Sequence, residues 1–471
     1  RTLLYLLPLA AGALAKATVV VFAPLLFIYV VLFEGQPPRR AARTALPSLI
    51  LGVVLLVFLS SMNAPEWSSG GGSRLHYAIT QPFVWLHYFR LFFLPIGLTA
   101  DTDWQPFARW YDARALAGYA FVVLLAIWMR RASRRAETRS VAFGLAWFAI
   151  ALLPTSSFFP LAEVANEHRV FFAYIGLVLA IVCWIRVLFH SSPLTLHSSS
   201  IPALVVLLAF AIGTHVRNEA WATEETLWRD VVAKSPANGR GLMNYGLTQM
   251  EQGRYAVAKN CFDRAATLTP DYSVLEINRG IVSGALGDQS AAEAHFQRAL
   301  VLNSDANAHF FYARWLVRRN RGPEAVEHLQ AALRLSPAYP DVRVLLMRLY
   351  AAKGDGTALH DLVTDTLRAD PANAIALRLA SGGYAPDGSP PGFEALLQYG
   401  LAAMHRGDYL TAALACRGAL KLNPRSVDAW NYLGMSLASL GFRDEASHAY
   451  QNALSLRPDD PRTKNNLALL D

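Results

Sequence analysis

Up to about residue 217 the chain alternates long apolar stretches with short polar ones; beyond it the chain is Ala-rich, charged and helical in pattern. The apolar stretches are 2–15, 17–33, 45–62, 115–130, 141–155, 169–189 and 201–216. Several approach the roughly 20 apolar residues a helix needs to cross a bilayer. An eighth stretch, 77–104, is as apolar but holds Gln81, His87, Arg90, Pro82 and Pro95. Such backbone survives at membrane depth only when buried in protein or lining a wet cavity.

The second half repeats itself. "NYGLTQMEQGRYAVAKNCFDRAATLTP" (244–270) aligns with "NYLGMSLASLGFRDEASHAYQNALSLRP" (431–458). Both have Gly246/Gly434, Gly253/Gly441, Ala258/Ala446, Phe262/Tyr450, Ala265/Ala453 and Pro270/Pro458. This is the tetratricopeptide pattern of about 34 residues. Its small residues let two helices approach, the aromatic fills the gap, and the proline ends the second helix. The pattern predicts units at 239–272, 273–305, 306–339, 340–373, 393–426 and 427–460, and a terminal helix from Pro461. "SGGYAPDGSPPG", within 374–392, interrupts the array as a loop or hinge. Residues 218–238 read as a connecting half-repeat helix. The fold class is therefore all-α: a polytopic transmembrane helix bundle over 1–217, then a tetratricopeptide α-solenoid over 239–373 and 393–471. Such arrays stack into a superhelix whose concave face binds extended peptides or proteins.

Composition agrees: 54% of the 471 residues are hydrophobic and the mean hydropathy is +0.25. The net charge is +8, but the densest arginine clusters (Arg39, Arg40, Arg43 and Arg130, Arg131, Arg134, Arg135, Arg139) lie between apolar stretches. Cytoplasmic loops of membrane proteins carry this excess, so the charge implies topology and not a nucleic-acid partner. With both clusters inside, 17–33 runs inward, 45–62 outward, 115–130 inward, 141–155 outward, 169–189 inward and 201–216 outward. The loop Glu163–Arg169 is then external, as are the repeats. Both ends of 77–104 are also external, which predicts an interfacial or re-entrant pair of short helices near 77–100. The three cysteines, Cys183, Cys261 and Cys416, lie far apart and form no CxxC motif, so they support neither a disulfide framework nor a zinc site. Cys261 and Cys416 fall at core positions of second repeat helices.

Ionisable residues gather at the outer level: Lys16, Arg90, Asp101, Asp103, Glu163, Glu167, His168 and Arg169. Lysine or arginine at a span end can simply reach for headgroups. Acidic residues gain nothing from anionic headgroups, so Glu-His-Arg against a span points to function.

The order of motifs resembles the transmembrane-and-tetratricopeptide-repeat O-mannosyltransferase-like proteins and their bacterial relatives. It is carried by "ALAKATVVVFAPLLFIYVVLFEG" (13–35), "TQPFVWLHYFRLFFLPIGLTADTDW" (80–104), "WFAIALLPTSSFFPLAEVANEHRVFFAYIGL" (147–177) and Asn218-Glu219-x-Trp221-x6-Trp228. The resemblance implies a GT-C glycosyltransferase that moves a mannose-like sugar from a polyprenyl phosphate to Ser or Thr of a protein held by the repeats. Lipid bilayer, lipid-linked sugar and protein acceptor are the implied partners. The setting is a bacterial inner membrane with periplasmic repeats, or the endoplasmic reticulum membrane with lumenal ones. The family's catalytic acid lies in an external loop expected upstream of Arg1, so the chain reads as N-terminally truncated and its catalytic residue is unknown. In this scheme Lys16, His168 and Arg169 hold the lipid phosphate. Glu163 or Glu167 orients Arg169 or binds a divalent cation, although no metal site is assigned. Asp101, Asp103 and Arg90 lie on the acceptor side. Two alternatives stand beside it: a non-enzymatic membrane-anchored scaffold, and a GT-C enzyme with a glycan or lipid acceptor.

Overall fold

The computed structural model describes residues 3–61, 73–156, 161, 163–189, 196–376 and 392–470. The described residues are helical throughout, with no strand among them. The chain divides after Tyr245 into two compact units.

The first unit begins with two short apolar helices, α1 (Leu6–Ala15) and α2 (Phe22–Leu32). They are separated by Lys16, in extended conformation, and a single 3-10 turn. Then come α3 (Pro38–Ser61), α4 (Arg74–Phe93), α5 (Ala113–Ser133), α6 (Arg139–Leu152), α7 (Phe171–Phe189) and α8 (Leu196–Glu219). A polar helix, α9 (Glu224–Lys234), follows. Three stretches, Pro38–Phe58, Ala113–Ser133 and Phe171–Leu188, are long and apolar enough to cross a membrane among the described residues. The expected spans at 2–15, 17–33 and 141–155 are shorter helices. At 1.5 Å per residue, the 14 residues of α6 reach only about 21 Å.

The stretch expected as a pair of short helices near 77–100 departs from that reading. Residues 74–93 form one continuous helix with Pro82 inside it. Thr80 and Gln81 on it find tertiary partners, so they do not break it. Thr80 Oγ1 accepts from the Phe107 N–H at 2.7 Å. Gln81 Nε2 donates to the Val164 carbonyl at 3.3 Å. The chain leaves regular helix only at Leu94, just before Pro95.

The core of this unit joins α4, α5, α6 and α7 through Val84, Tyr88, Leu125, Leu145, Phe148 and Leu177. The helices α6 and α7 meet backbone to backbone at Gly144 and Gly176. A Cβ at Gly176 would lie 2.5 Å from the Gly144 carbonyl oxygen. Small residues are the usual means of such an approach between apolar helices. Val164, Ala165 and Val170 belong to the same core, so the loop ahead of α7 is packed rather than draped.

The second unit begins within α10 (Gly239–Glu251) and then pairs helices: α11 (Tyr255–Leu268) completes the first pair, followed by α12 (Ser273–Ala285) with α13 (Gln289–Leu302). Next come α14 (Ala306–Arg318) with α15 (Gly322–Leu335), and α16 (Pro340–Lys353) with α17 (Gly356–Ala369). Beyond the gap lie α18 (Phe393–His405) with α19 (Tyr409–Leu422), α20 (Val427–Ser439) with α21 (Arg443–Leu456), and α22 (Pro461–Ala468). In three pairs an aromatic ring of the second helix covers a glycine of the first: Phe262 on Gly246, Phe296 on Gly280 and Tyr450 on Gly434. Cys261 and Cys416 are buried in second helices, and burial pushes the Cys416 thiol up to about 12. The expected loop or hinge lies mostly outside the described residues, at 377–391.

The later pairs fold back onto the earlier ones. Helix α19 packs against α16, and Arg417 on α19 donates to the Ala352 carbonyl at 2.6 Å. The Gly322 N–H, at the start of α15, donates to the Leu440 carbonyl at 2.8 Å. Lys353 pairs with Glu445 at 3.2 Å. One core therefore runs from α12 to α21.

Candidate functional site

The loop before α7 is set by its own short-range chemistry. Asn166 is extended and caps the single turn Glu167–Arg169, its Oδ1 accepting from the His168 N–H at 3.1 Å. Its backbone is pinned by Tyr88 on α4. The Asn166 N–H donates to the Tyr88 hydroxyl at 2.7 Å, and that hydroxyl donates to the Asn166 carbonyl at 3.0 Å. Thr102 Oγ1 donates to the Ala165 carbonyl at 3.0 Å. A buried asparagine, a tyrosine and a threonine thus fix the direction of the charged side chains.

Two clusters of charge result. In the first, Arg169 pairs with Glu163 and also donates to the Glu163 carbonyl at 2.9 Å. Both side chains are little exposed, at 11% and 14%. Glu163 has a second cation, Arg240, which bonds Asp101 Oδ2 through Nε at 2.8 Å. Asp101 is only 2% exposed. His168 lies within the field of this group. Burial first, then Arg169, Lys16 and Arg240, hold its imidazole below the usual histidine range, against Glu163.

In the second cluster, Glu167 Oε1 accepts from the Thr99 N–H at 2.9 Å. Burial lifts its carboxyl above the usual range, opposed by that hydrogen bond and by Arg217 and Lys234. Asp230 bridges these two cations, at 2.7 Å to each, and Lys234 donates to the Leu98 carbonyl at 2.7 Å.

Beside the second cluster lies a cavity of about 1540 Å³. Phe92, Phe93, Val178, Val182, Val206 and Phe210 make its apolar part, and Arg217, Asn218, Glu219, Arg229, Asp230 and Lys234 its polar end. Ligand pockets commonly measure about 300–1,000 Å³, so this one has room for a long chain.

The residues singled out from the sequence are thus partly brought together. Lys16 is exposed at the α1–α2 joint and acts on His168. Asp101 and Glu163 share Arg240. Asp103 Oδ2 accepts from the Ala237 N–H at 3.3 Å, so it faces the stretch that leads into α10. Arg90 is exposed on the last turn of α4. Among the described residues, no three His, Cys, Asp or Glu side chains are placed to hold a metal. Glu163 and Asp101 are engaged by guanidinium groups. Arg240, Arg217, Asp230 and Lys234 escaped the sequence reading.

Comparison with known proteins completes the description. Tetratricopeptide-repeat family models match residues 239–272, 278–340, 397–441 and 427–460. "Protein O-mannosyl-transferase Tmtc3" of Drosophila melanogaster is 28% identical over 169 residues, 36% of this chain and 18% of that protein. "Protein O-mannosyl-transferase TMTC1" of Mus musculus is 26% identical over 211 residues, covering 43% and 22%. The chain thus spans about a fifth of the length of these relatives. Among solved structures, YrrB, described as a TPR protein with an unusual peptide-binding site, matches with 13% identity and a TM-score of 0.25 over 50% of this chain and 96% of its own. The pilus biogenesis factor PilW gives 16%, 0.27, 49% and 98%. The chain carries tetratricopeptide repeats and is distantly similar to the O-mannosyl-transferases, and its apolar helices point to membrane association.

Proposed function

We propose that this chain is part of a membrane glycosyltransferase that moves a sugar from a polyprenyl-phosphate donor to a hydroxyl of a protein acceptor. The observation that carries the reading is the cavity beside Glu167. Its apolar walls suit a polyprenyl chain, and Arg217, Arg229 and Lys234 at its polar end suit an anionic headgroup. In the transfer, the acceptor oxygen bonds to the anomeric carbon as the bond from that carbon to the phosphate oxygen breaks. The lipid phosphate leaves with the electron pair, and cations lower the barrier by meeting that charge. Arg217, held by Asp230, is the fixed donor at the cavity's polar end, and Arg169 and Lys16, of the neighbouring charge group, are proposed as further cations for the phosphate. The hydroxyl proton needs a carboxylate acceptor. Glu163 and Glu167 are both engaged, so neither is given that role. The positive-inside rule puts the site on the periplasmic face of a bacterial inner membrane, or the lumenal face in a eukaryote. The low but consistent similarity to named O-mannosyl-transferases supports a Ser or Thr acceptor and a mannose-like sugar.

The test is transfer from a radiolabelled polyprenyl-phosphate sugar by the whole protein in nanodiscs, with wild type, Arg169→Ala and Arg217→Ala compared. Loss of about tenfold or more on removing either guanidinium is expected, the scale of one charge-assisted contact. Unchanged transfer in Arg169→Ala removes that residue from the site. Absence of donor binding in the wild type overturns the reading in favour of a membrane-anchored scaffold.

A further inference from the structure

The fold-back of the later repeats makes a second cavity in the repeat unit, distinct from the membrane-side site. It measures about 670 Å³ and is bounded by α14 and α16 on one side and by the α18–α19 turn on the other. Arg314 and Arg318 on α14, Arg348 on α16 and Arg406 at the turn all line it. Only two carboxylates do so, Asp341 and Asp408. Asp408 is committed to capping α19, its Oδ1 accepting from the Thr411 N–H at 3.1 Å. Among the described residues, Arg314, Arg318, Arg348 and Arg406 have no carboxylate partner in an ion pair. Arg314 instead lies over Phe310 and Phe311, at 5.5 and 5.6 Å from their ring centres. Arg348 donates to Thr411 Oγ1 at 3.2 Å.

The four guanidinium groups surround an apolar floor of Val317, Val344, Leu345 and Leu410. A smaller cavity of about 420 Å³ shares Arg314 and Arg318 and adds Arg319, Glu251, Tyr255 and Phe311. Like charges one helical turn apart, as Arg314 and Arg318 are, cost a helix a few tenths of a kcal/mol. Arranged over apolar ground and facing one space, they form a surface complementary to an anionic, partly apolar partner. Arginine in such clusters reads planar acidic groups by paired N–H donors.

We infer that this cavity binds an extended protein segment in which Asp or Glu residues flank a hydrophobic side chain. The hydrophobic residue enters the floor between α14 and α16, and the carboxylates meet Arg314, Arg318, Arg348 and Arg406. The inference goes beyond sugar transfer, and it stands or falls independently, since binding is measured with no donor lipid present.

The experiment is fluorescence anisotropy with the whole protein in nanodiscs and three labelled peptides. One is acidic with a central leucine, one has Gln and Asn in place of every acid, and one carries phosphoserine in place of every acid. The acidic peptide is expected to bind, more weakly as salt rises, and the neutral one about tenfold or more weaker. Arg314→Gln with Arg318→Gln is expected to weaken the acidic peptide about tenfold per arginine. Arg406→Gln, at an exposed turn with no packing to lose, gives the same direction without risk to the fold. Arg462→Gln, on the terminal helix, leaves binding unchanged. Equal binding of acidic and neutral peptides, or no response to Arg406→Gln in a protein with wild-type circular dichroism, overturns the proposal. Tenfold preference for the phosphoserine peptide overturns the carboxylate assignment.

Discussion

Glu163 holds two guanidinium groups, Arg169 and Arg240, and Arg240 reaches on to the buried Asp101. Removing Arg240 leaves Glu163 its other cation, Arg169, but strips Asp101 of its own. Arg240→Ala leaves the Asp101 carboxylate without its cation, at a cost of about 2 kcal/mol for a buried charged acceptor whose lost partner was half exposed. Hydrogen exchange should then quicken at Thr102 and across 235–241, where Asn238 Nδ2 and Ser235 Oγ now bond the Thr102 and Asp101 carbonyls. Unchanged exchange there refutes the linkage. His168 supplies a pH test. Its folded-state pKa lies below 6.5, so the imidazole is neutral at pH 7, and protonation opposes the fold as pH falls through that lowered value. A bound phosphodiester does not titrate in this range and would raise the His168 pKa. Donor binding should therefore tighten as pH falls from 7 toward 5, and His168→Gln should flatten the dependence; a wild-type profile already flat removes His168 from the site. The sequence exposed Glu163, Glu167, His168 and Arg169 because charges beside a span are costly. Arg240 was hidden by its distance in sequence. The available signal was an arginine in the first turn of a helix, where the macrodipole disfavours a cation.

At the scale of elements, the 34-residue period made the helix pairs legible, because three of the pairs repeat the same contact of a small residue with an aromatic ring. The single helix α4 was not, since Pro82 and Gln81 look like breakers until Val164 and Phe107 are known to satisfy their surroundings. The fold-back was equally hidden: nothing local marks Gly322 as the residue that meets Leu440. A Cβ there would lie 2.5 Å from the Leu440 oxygen and 2.8 Å from the Phe442 ring. Gly322→Ala should thus cost about 1–3 kcal/mol as an overpacked contact. Limited proteolysis should then cut more readily at 437–442, while 278–300 keeps its resistance; equal resistance in both refutes the contact. In the other unit, Gly176→Ala places a methyl against the Gly144 backbone. The close pairing of α6 and α7 must open, with a similar cost of about 2 kcal/mol, read as a lower thermal midpoint in detergent. A midpoint equal to wild type shows that α6 and α7 do not meet at these glycines.

For the whole molecule the proposed function turns on the side of the membrane that holds the repeats, and the charge pattern gives the expectation. Arg130 and Arg131 close α5, and Arg134, Arg135 and Arg139 follow within nine residues. Each such cation disfavours translocation. On the proposed topology α7, which begins just after Arg169 and Val170, crosses once and α8 crosses back, which returns the chain to the side of the Glu163 loop before α9 begins. The polar contacts of α9 and Ser235–Arg240 with Leu98–Asp103 require those stretches to share that side. Protease added to right-side-out vesicles should therefore remove the repeats while sparing the arginine turn, and inverted vesicles should show the opposite. Replacing Arg130, Arg131, Arg134 and Arg135 with Asn weakens the signal at one loop only. Because Arg39, Arg40 and Arg43 still hold the first hairpin, a mixed population is expected rather than full inversion. Repeats that resist protease in right-side-out vesicles, but not after permeabilisation, would place them inside. A lipid-linked sugar presented outside could not then serve acceptors held by them, and the transferase reading would lose its geometry while the acidic-peptide site would stand.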